Sequence, residues 1–532
     1  MSNYYDMPKL PTAESPKVAI FVDGQETFVP GDTNLLEALK AVGIETPSIC
    51  YHPFLPVSGN CRQCLVEQEG PRGRSLIISC FTPVSPGMKV FTPKTSLRVK
   101  NARKATNEFM LVNHPLDCPI CDKAGECSLQ ANYMESGHDS RLRENIGKHY
   151  HGSPDHAFID SKGQTRGGKQ VVLGPRVTLD EERCVQCDRC VRFMRFVAGD
   201  EQLQLASRGD STYITTFPGQ ELDHEYDLCV TDVCPVGALT ANNFRFQQRV
   251  WMLSRTPSVS MDDSLGANLW IDHNHGKIWR LMPRCNPEVN RSWISNTSRL
   301  AYLNFDKDRL EAAPIETLQS TVFAAKKVAI VAGGACTLED LAAIKALQES
   351  LGAKAELFGG TSIPVVEPDG ISKSGDPLAN RAGFKAMQVP DANLQELLQK
   401  ISDFDTLITI HSDLIGEDPT FEKLKQIPNR IVLSAFKDCT ANAATLAFGV
   451  KHWTEVSGSM INSLQILQKL NAAPTAPNGD LKPAYQVLFA LAGIEITEVS
   501  AAWKQVQDRI PTLKAYQRDS ILSTGLKLEG VV

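Results

Sequence analysis

No run of this 532-residue chain is apolar for long enough to cross a bilayer. The longest apolar stretches, around Lys327–Gly333 and Thr406–Ile410, fall far short of the roughly 20 residues a spanning helix needs. Neither sign of charge dominates: 55 Lys and Arg stand against 61 Asp and Glu, a net charge of −6. That balance offers no field for nucleic acid or for a lipid surface, so any membrane association is expected through partner proteins alone. The opening residues, MSNYYDMPKLPTAESP, lack both the charged-then-apolar pattern of a secretion signal and the Arg-rich pattern of a transit peptide, which predicts a cytoplasmic location. Val331–Cys336 contains no Gly-x-Gly-x-x-Gly, so no nucleotide site is expected there. Cysteine is scarce over most of the chain, with only three thiols after residue 234.

The other twelve cysteines crowd into the first 234 residues. A disulfide scaffold with that density would be short and secreted; in a long chain without a signal sequence, clustered thiols point to metal. The apolar fraction of 42% and charged fraction of 22% are those of ordinary globular proteins. The length predicts about three or four domains.

Residues 1–16 are polar and aperiodic and read as a flexible tail. Val18–Val22 reads as a strand, Asp23-Gly24 as a hairpin turn and Glu26–Val29 as the return strand. A helix is expected over Leu35–Val42 with Asp32, Thr33 or Asn34 as its N-cap. A loop rich in Gly, Pro and Cys follows, which completes the order of a β-grasp ferredoxin. A second helix is expected over Ser96–Val112. Residues 138–176 are polar and Gly-rich and read as a connection. From residue 326 strands and helices alternate: Val328–Ala332, Leu338–Leu351, Ala355–Phe358, Thr406–Ile410, a helix near Phe421–Lys425, and Arg430–Leu433. That pattern predicts a parallel sheet with helices on both faces.

The cysteines fall into three sets. Cys50, Cys61, Cys64 and Cys80 give C-x10-C-x2-C-x15-C, three thiols on one loop and a distant fourth, as a [2Fe-2S] cluster requires in plant-type ferredoxins, although the first gap there is four residues. Ser58-Gly59-Asn60 is small and polar, which suits backbone N–H groups turned toward sulfur. His114, Cys118, Cys121 and Cys127 give H-x3-C-x2-C-x5-C, read as a [4Fe-4S] set in the company of the other two; a tetrahedral zinc site uses the same ligands, so composition alone does not exclude zinc. Cys184, Cys187, Cys190 and Cys234 give the C-x2-C-x2-C run with a distant Cys-Pro of bacterial ferredoxins. In two-cluster ferredoxins a fourth thiol follows the run and a second run precedes the distant Cys-Pro. Here Met194 stands four residues past Cys190, and Val230, Asp227 and His224 occupy the places counted back from Cys234. Only one cluster of an ancestral pair therefore keeps its ligands. Cys229 is out of phase and is read as a non-ligand.

With the three sets in this order the chain resembles the large iron-sulfur subunit of NADH:quinone oxidoreductase, respiratory complex I. The strings NHPLDCPICDKAGECSLQ (113–130), ERCVQCDRCVRF (182–193) and CPVGALT (234–240) carry the resemblance. A looser similarity runs through residues 280–302, with Trp293-Ile294-Ser295 and Arg299, as at the start of a domain related to molybdopterin oxidoreductases. The resemblance implies an electron-transfer subunit of an oxidoreductase with no catalytic site of its own. It would relay electrons from a flavin-bearing NADH-oxidising subunit to a ferredoxin-like iron-sulfur subunit and the quinone-site subunits. It further implies one [2Fe-2S] and two [4Fe-4S] clusters, no flavin, NAD or molybdopterin on this chain, and a peripheral place on the cytoplasmic face of a bacterial inner membrane.

The expected architecture is multidomain, α+β and α/β: a tail (1–16), a β-grasp [2Fe-2S] module (17–95), a small helical module with one histidine and three cysteine ligands (96–137), a ferredoxin-like [4Fe-4S] module (138–245) and a molybdopterin-oxidoreductase-like α/β region without pterin (246–532). Some bacterial relatives hold a further [4Fe-4S] cluster after the CPVGALT segment. No Cys lies between residues 241 and 284 here, so its absence is expected. Cys285, Cys336 and Cys439 are isolated and read as core residues. Glu455–Asn462 resembles the E-x-x-G-T/S-x-x-N stretch of the pterin enzymes, but Leu464-Gln465 replaces the Gly-Arg that follows it there. The competing assignment is an electron-transfer subunit of an NAD-linked hydrogenase or formate dehydrogenase.

Overall fold

The structure, a computed structural model, describes residues 7–112, 114–136, 158–159, 165–166, 168–209, 212–305, 307–474 and 481–528. Most of the expected connection at 138–176 and the first six residues of the expected tail lie outside the described residues. The chain forms two compact units, Met1–Met252 and Leu253–Val532.

The first unit opens with β1 (Lys17–Val22) and β2 (Gln25–Pro30). Their turn residues Asp23 and Gly24 both have positive φ, 53° and 85°, the backbone a tight two-residue hairpin demands. Helix α1 (Leu35–Ala41) starts at Asn34, whose side chain accepts from the Glu37 N–H at 3.0 Å. A second hairpin, β3 (Leu65–Gly70) with β4 (Gly73–Ile78), and β5 (Lys89–Phe91) complete a sheet in the order β2-β1-β5-β3-β4, with β1 and β5 parallel. Ile20, Val22, Val29, Leu35, Leu39, Val66 and Val90 fill the core between sheet and α1. Helix α2 (Leu97–Val112) is capped by Ser96, whose hydroxyl accepts from the Val99 N–H and donates to Glu67. Helix α3 (Ser128–Ser136) follows. The remainder of this unit is built on a small antiparallel sheet, β6 (Val171–Val172), β7 (Val177–Leu179) and β8 (Leu239–Ala241), with short helices α4 (Arg189–Phe193) and α5 (Cys229–Val233) between the last two strands.

The second unit begins with an antiparallel sheet the sequence pattern does not announce: β9 (Ser254–Val259), β10 (Asn268–Asn274) and β11 (Lys277–Pro283). Pro257 lies inside β9, which is tolerated because β9 is an edge strand. Next come β12 (Val328–Ala332), α6 (Leu338–Leu351), β13 (Ala355–Gly359), β14 (Thr406–Ile410), β15 (Asn429–Ser434) and β16 (Leu446–Gly449). The strands among them form an all-parallel sheet in the order β13-β12-β14-β15-β16. Both faces are covered: Val328, Ile330 and Ala332 pack into one apolar core, Ala329 and Val331 into another. The helix expected near Phe421–Lys425 is a 3-10 helix over Pro419–Gln426, wound tightly behind Pro419. A last small sheet joins β17 (Gly458–Ile461), β18 (Ile466–Leu470) and β19 (Leu526–Lys527).

Of the three isolated thiols only Cys336 is buried; Cys285 and Cys439 are exposed, against expectation. Cys285 follows the end of β11 in a loop, and Cys439 is the first residue of a four-residue helix capped by Asp438, so neither position faces a core.

Candidate metal centres

The first set is assembled by the β3–β4 hairpin. Leu65 pairs with Ile78, so Cys64, one residue before β3, and Cys80, two residues after β4, arrive at the same end. Ser79 fixes them there, its N–H and hydroxyl both donating to the Cys64 carbonyl at 3.2 and 2.8 Å. Cys50, Cys64 and Cys80 are buried and Cys61 half-buried. The thiols pair, Cys50 with Cys61 and Cys64 with Cys80. The hydrogen bond from its partner holds the Cys61 thiol down to about 6, and the same bond holds Cys50 up. Backbone groups of Cys50, Gln63 and Ile49 bond to the Cys61 sulfur. The side chains of Ser58 and Asn60 reach across to the third set: the Ser58 hydroxyl donates to Asp188 Oδ2 at 2.8 Å and the Asn60 amide to the Gln186 carbonyl at 3.5 Å.

The second set spans the turn from α2 to α3. Cys118 is exposed, Cys121 buried and Cys127 half-buried just before α3. His114 Nδ1 is buried and has no hydrogen-bond partner among the described residues. Burial first, and the nearby Arg183 guanidinium second, hold the imidazole down to about 4, so it is neutral near pH 7 with a free lone pair, the form in which histidine ligates metal. Asp117 receives Arg183 at 3.0 Å and Lys169 at 2.5 Å, which ties this turn to the segment leading into the third set. The Cys121 carbonyl accepts from Arg249 at 2.8 Å.

The third set surrounds a cavity. Cys184, Cys187, Cys190 and Cys234 all line it, and the remaining walls are mostly apolar, among them Leu179, Val185, Ile214 and Leu239. Gln186 and Asp188 adopt positive φ, 50° and 57°, which folds the C-V-Q-C-D-R-C run tightly around the space. Burial, the leading influence, raises the Cys184 and Cys190 thiols above their ordinary range. Four thiols in an apolar wall would be an unfavourable place for bare thiolates and suit a polynuclear iron-sulfur group that shares their charge. Cys229, at the start of α5, is buried and does not line this cavity. Among the described residues no three His, Cys, Asp or Glu side chains converge as the ligands of a single metal ion would.

Arg189 and Arg192 escape a reading that treats the residues between cysteines as spacers. Both lie in α4 and reach the first set: Arg192 Nη2 donates to the Cys50 carbonyl at 2.5 Å and Arg189 to the Tyr51 carbonyl. The charges inside C-D-R-C-V-R give no sign of these partners, which are backbone carbonyls distant in sequence.

Residues 15–95 match the family described as 2Fe-2S iron-sulfur cluster binding domain, and residues 103–141 the NADH-ubiquinone oxidoreductase-G iron-sulfur binding region. Residues 174–240 match NADH-quinone oxidoreductase subunit 3, ferredoxin-like domain. Residues 253–303 match the NADH-ubiquinone oxidoreductase NDSU1/NuoG-like, 4Fe-4S domain, although Cys285 is the single cysteine in that stretch. The NADH-ubiquinone oxidoreductase 75 kDa subunit of Reclinomonas americana is 35% identical over 422 residues, 76% of this chain and 57% of that one. The mitochondrial NADH-ubiquinone oxidoreductase 78 kDa subunit of Candida albicans is 35% identical over 358 residues, 64% of this chain and 47% of that one. The chain thus spans about half the length of the curated relatives it matches. A chain in the crystal structure of NAD+-reducing [NiFe]-hydrogenase in the H2-reduced state is 28% identical, covering 44% of this chain and 91% of that one with a TM-score of 0.35.

Proposed function

We propose, from the similarity of this chain to the large iron-sulfur subunits of NADH:quinone oxidoreductase, that it is an electron-transfer subunit whose first 245 residues hold three iron-sulfur clusters. Cys50, Cys61, Cys64 and Cys80 would hold a [2Fe-2S] cluster. His114, Cys118, Cys121 and Cys127 would hold one [4Fe-4S] cluster, and Cys184, Cys187, Cys190 and Cys234 another. The observation that carries this reading is the single cavity lined by all four thiols of the third set. Bound there, such clusters supply reversible one-electron storage. The residues do the rest: thiols anchor, the neutral His114 lessens the negative charge at its site, and the apolar wall around Cys184 excludes water.

The electron source in this reading is a flavin-bearing NADH-oxidising subunit, and the acceptors are a ferredoxin-like subunit and the quinone-site subunits, at the cytoplasmic face of a membrane. No helix among the described residues is long and apolar enough to cross one. The functional division follows the modules 17–95, 96–137 and 138–245, with 246–532 as a molybdopterin-oxidoreductase-like region that has lost its pterin. Support for that last point is the replaced Gly-Arg at Leu464-Gln465. A lone Cys285 gives residues 253–303 no four-thiolate set.

Anaerobic reconstitution of the full chain tests the reading. About ten irons per chain, three distinct paramagnetic centres under dithionite, and reduction by NADH only after a flavin-bearing subunit is added are the expected results. Stoichiometric zinc at the His114 set, or NADH turnover by the chain alone, would overturn it.

A further inference from the structure

Two arginines stand between the first and third cysteine sets. Arg189 and Arg192 are three residues apart in α4, so their side chains share a helix face. Arg192 is 8% exposed. Its Nη2 donates to the Cys50 carbonyl at 2.5 Å and to the Cys187 carbonyl at 3.2 Å, while Nη1 donates to the Pro56 carbonyl and Nε to Asp188 Oδ1 at 2.7 Å. One guanidinium therefore joins a cysteine of the first set to a cysteine of the third. Arg189 donates to the Tyr51 carbonyl on one side and to the Val233 carbonyl, next to Cys234, on the other at 3.3 Å. The Cys50–Pro56 loop is thus held at two points by α4.

The charges do not cancel locally. Asp188 pairs with Arg192, and among the described residues no carboxylate pairs with Arg189. A buried guanidinium without an anion is strongly disfavoured. The carbonyls Arg189 meets adjoin one cysteine of each set, Val233 beside Cys234 of the third and Tyr51 beside Cys50 of the first. The cation is placed where negative charge will sit on either side of it.

We propose that Arg189 and Arg192 are positioning residues that form a shared cationic bridge, raising the reduction potentials of the clusters at the Cys50 and Cys187 sets together and linking the two through one hydrogen-bonded guanidinium. The proposal rests on the three-cluster reading above. An added electron is stabilised by a nearby fixed positive charge, and burial keeps that charge from being screened. Transfer across the bridge moves one electron from the reduced side to the oxidised side, with no proton and no bond made or broken.

The test is a redox titration of the cluster-loaded full chain, followed by low-temperature paramagnetic resonance. Arg192→Gln should lower the midpoint potentials of both clusters and leave that of the His114 set in place; Arg192→Lys, which keeps the charge, should restore most of the shift. If Arg192→Gln does not retain its clusters, Asp188→Asn decides: removing the counter-charge should raise both potentials. Potentials that stay at native values, or a shift confined to one of the two clusters, overturn the bridge. Iron and sulfide analysis of the native chain comes first and separates the two failures. A native chain without clusters sinks the proposed function and the bridge with it, whereas intact clusters with unmoved potentials sink the bridge alone.

Discussion

Gly237 lies so close to Cys121 that a Cβ on it would overlap the Cys121 sulfur. Gly237 belongs to the segment that follows Cys234, so the third set's chain is pressed against the second set's thiol. Its neighbours there are Lys123 and Arg183, 3.3 and 3.8 Å from the same point. Gly237→Ala should displace Cys121 and reduce iron content by about four per chain, with the signal of the His114-set cluster lost and the [2Fe-2S] signal retained. Full iron content in the variant would show that the contact relaxes freely.

Removing the imidazole tests the same set from its other end. His114→Ala should abolish or reshape the signal of one [4Fe-4S] cluster and leave the other two spectra as they are, because ligand loss is local. Three unchanged signals would remove His114 from the ligand set.

Glu339, in the second unit, supplies a pH dependence that involves no cysteine set. It is fully buried in the first turn of α6 and accepts from the Ser459 N–H and hydroxyl, both at 2.8 Å. Burial pushes its carboxyl from the ordinary 4.5 up to about 7. Between those values the folded chain holds a proton that the unfolded chain has released, so stability falls as pH rises through this window and levels off above it. The full effect is ~3 kcal/mol. Glu339→Gln should flatten it, melting at a higher temperature than the native chain at pH 8 and with little difference at pH 4.5. Parallel melting curves across that range would refute the assignment.

Phe358 tests the core of the parallel sheet. It is fully buried and meets Phe404 edge-on at 5.6 Å between ring centroids. Phe358→Ala should destabilise the second unit by ~3–5 kcal/mol through lost burial and the cavity left behind. Denaturant titration measures it, and a loss under ~1 kcal/mol would mean the site collapses around the smaller residue.

Local signals carried much of the fold. Asp23-Gly24 announces a hairpin because few other pairs accept two positive φ angles, and Asn34 announces a helix start because its side chain can take a free N–H. The continuous apolar strands Val328–Ala332 and Thr406–Ile410 read as parallel strands because both their faces are buried. The antiparallel strands β9 to β11 were hidden: Pro257 interrupts one, and Asp272 and Arg280 place an ion pair at 2.8 Å in the other two, which breaks the apolar alternation. The cysteine sets were legible from spacing, whereas Arg189 and Arg192 were not, because their partners are backbone carbonyls more than 130 residues away in the case of Tyr51, Pro56 and Cys50.

That separation bears on how the protein is made. Cys50, Cys61, Cys64 and Cys80 leave the ribosome well before Arg189 and Arg192 exist, and contacts across so long a loop form late in folding. The first site is therefore built in two stages: its four thiols can gather on their own hairpin and loop, but the carbonyls of Cys50, Tyr51 and Pro56 stay open to water until α4 arrives. Cluster delivery during synthesis would meet a loop still lacking its cationic cover, and the order in which the sites are filled becomes a property of chain order as much as of affinity.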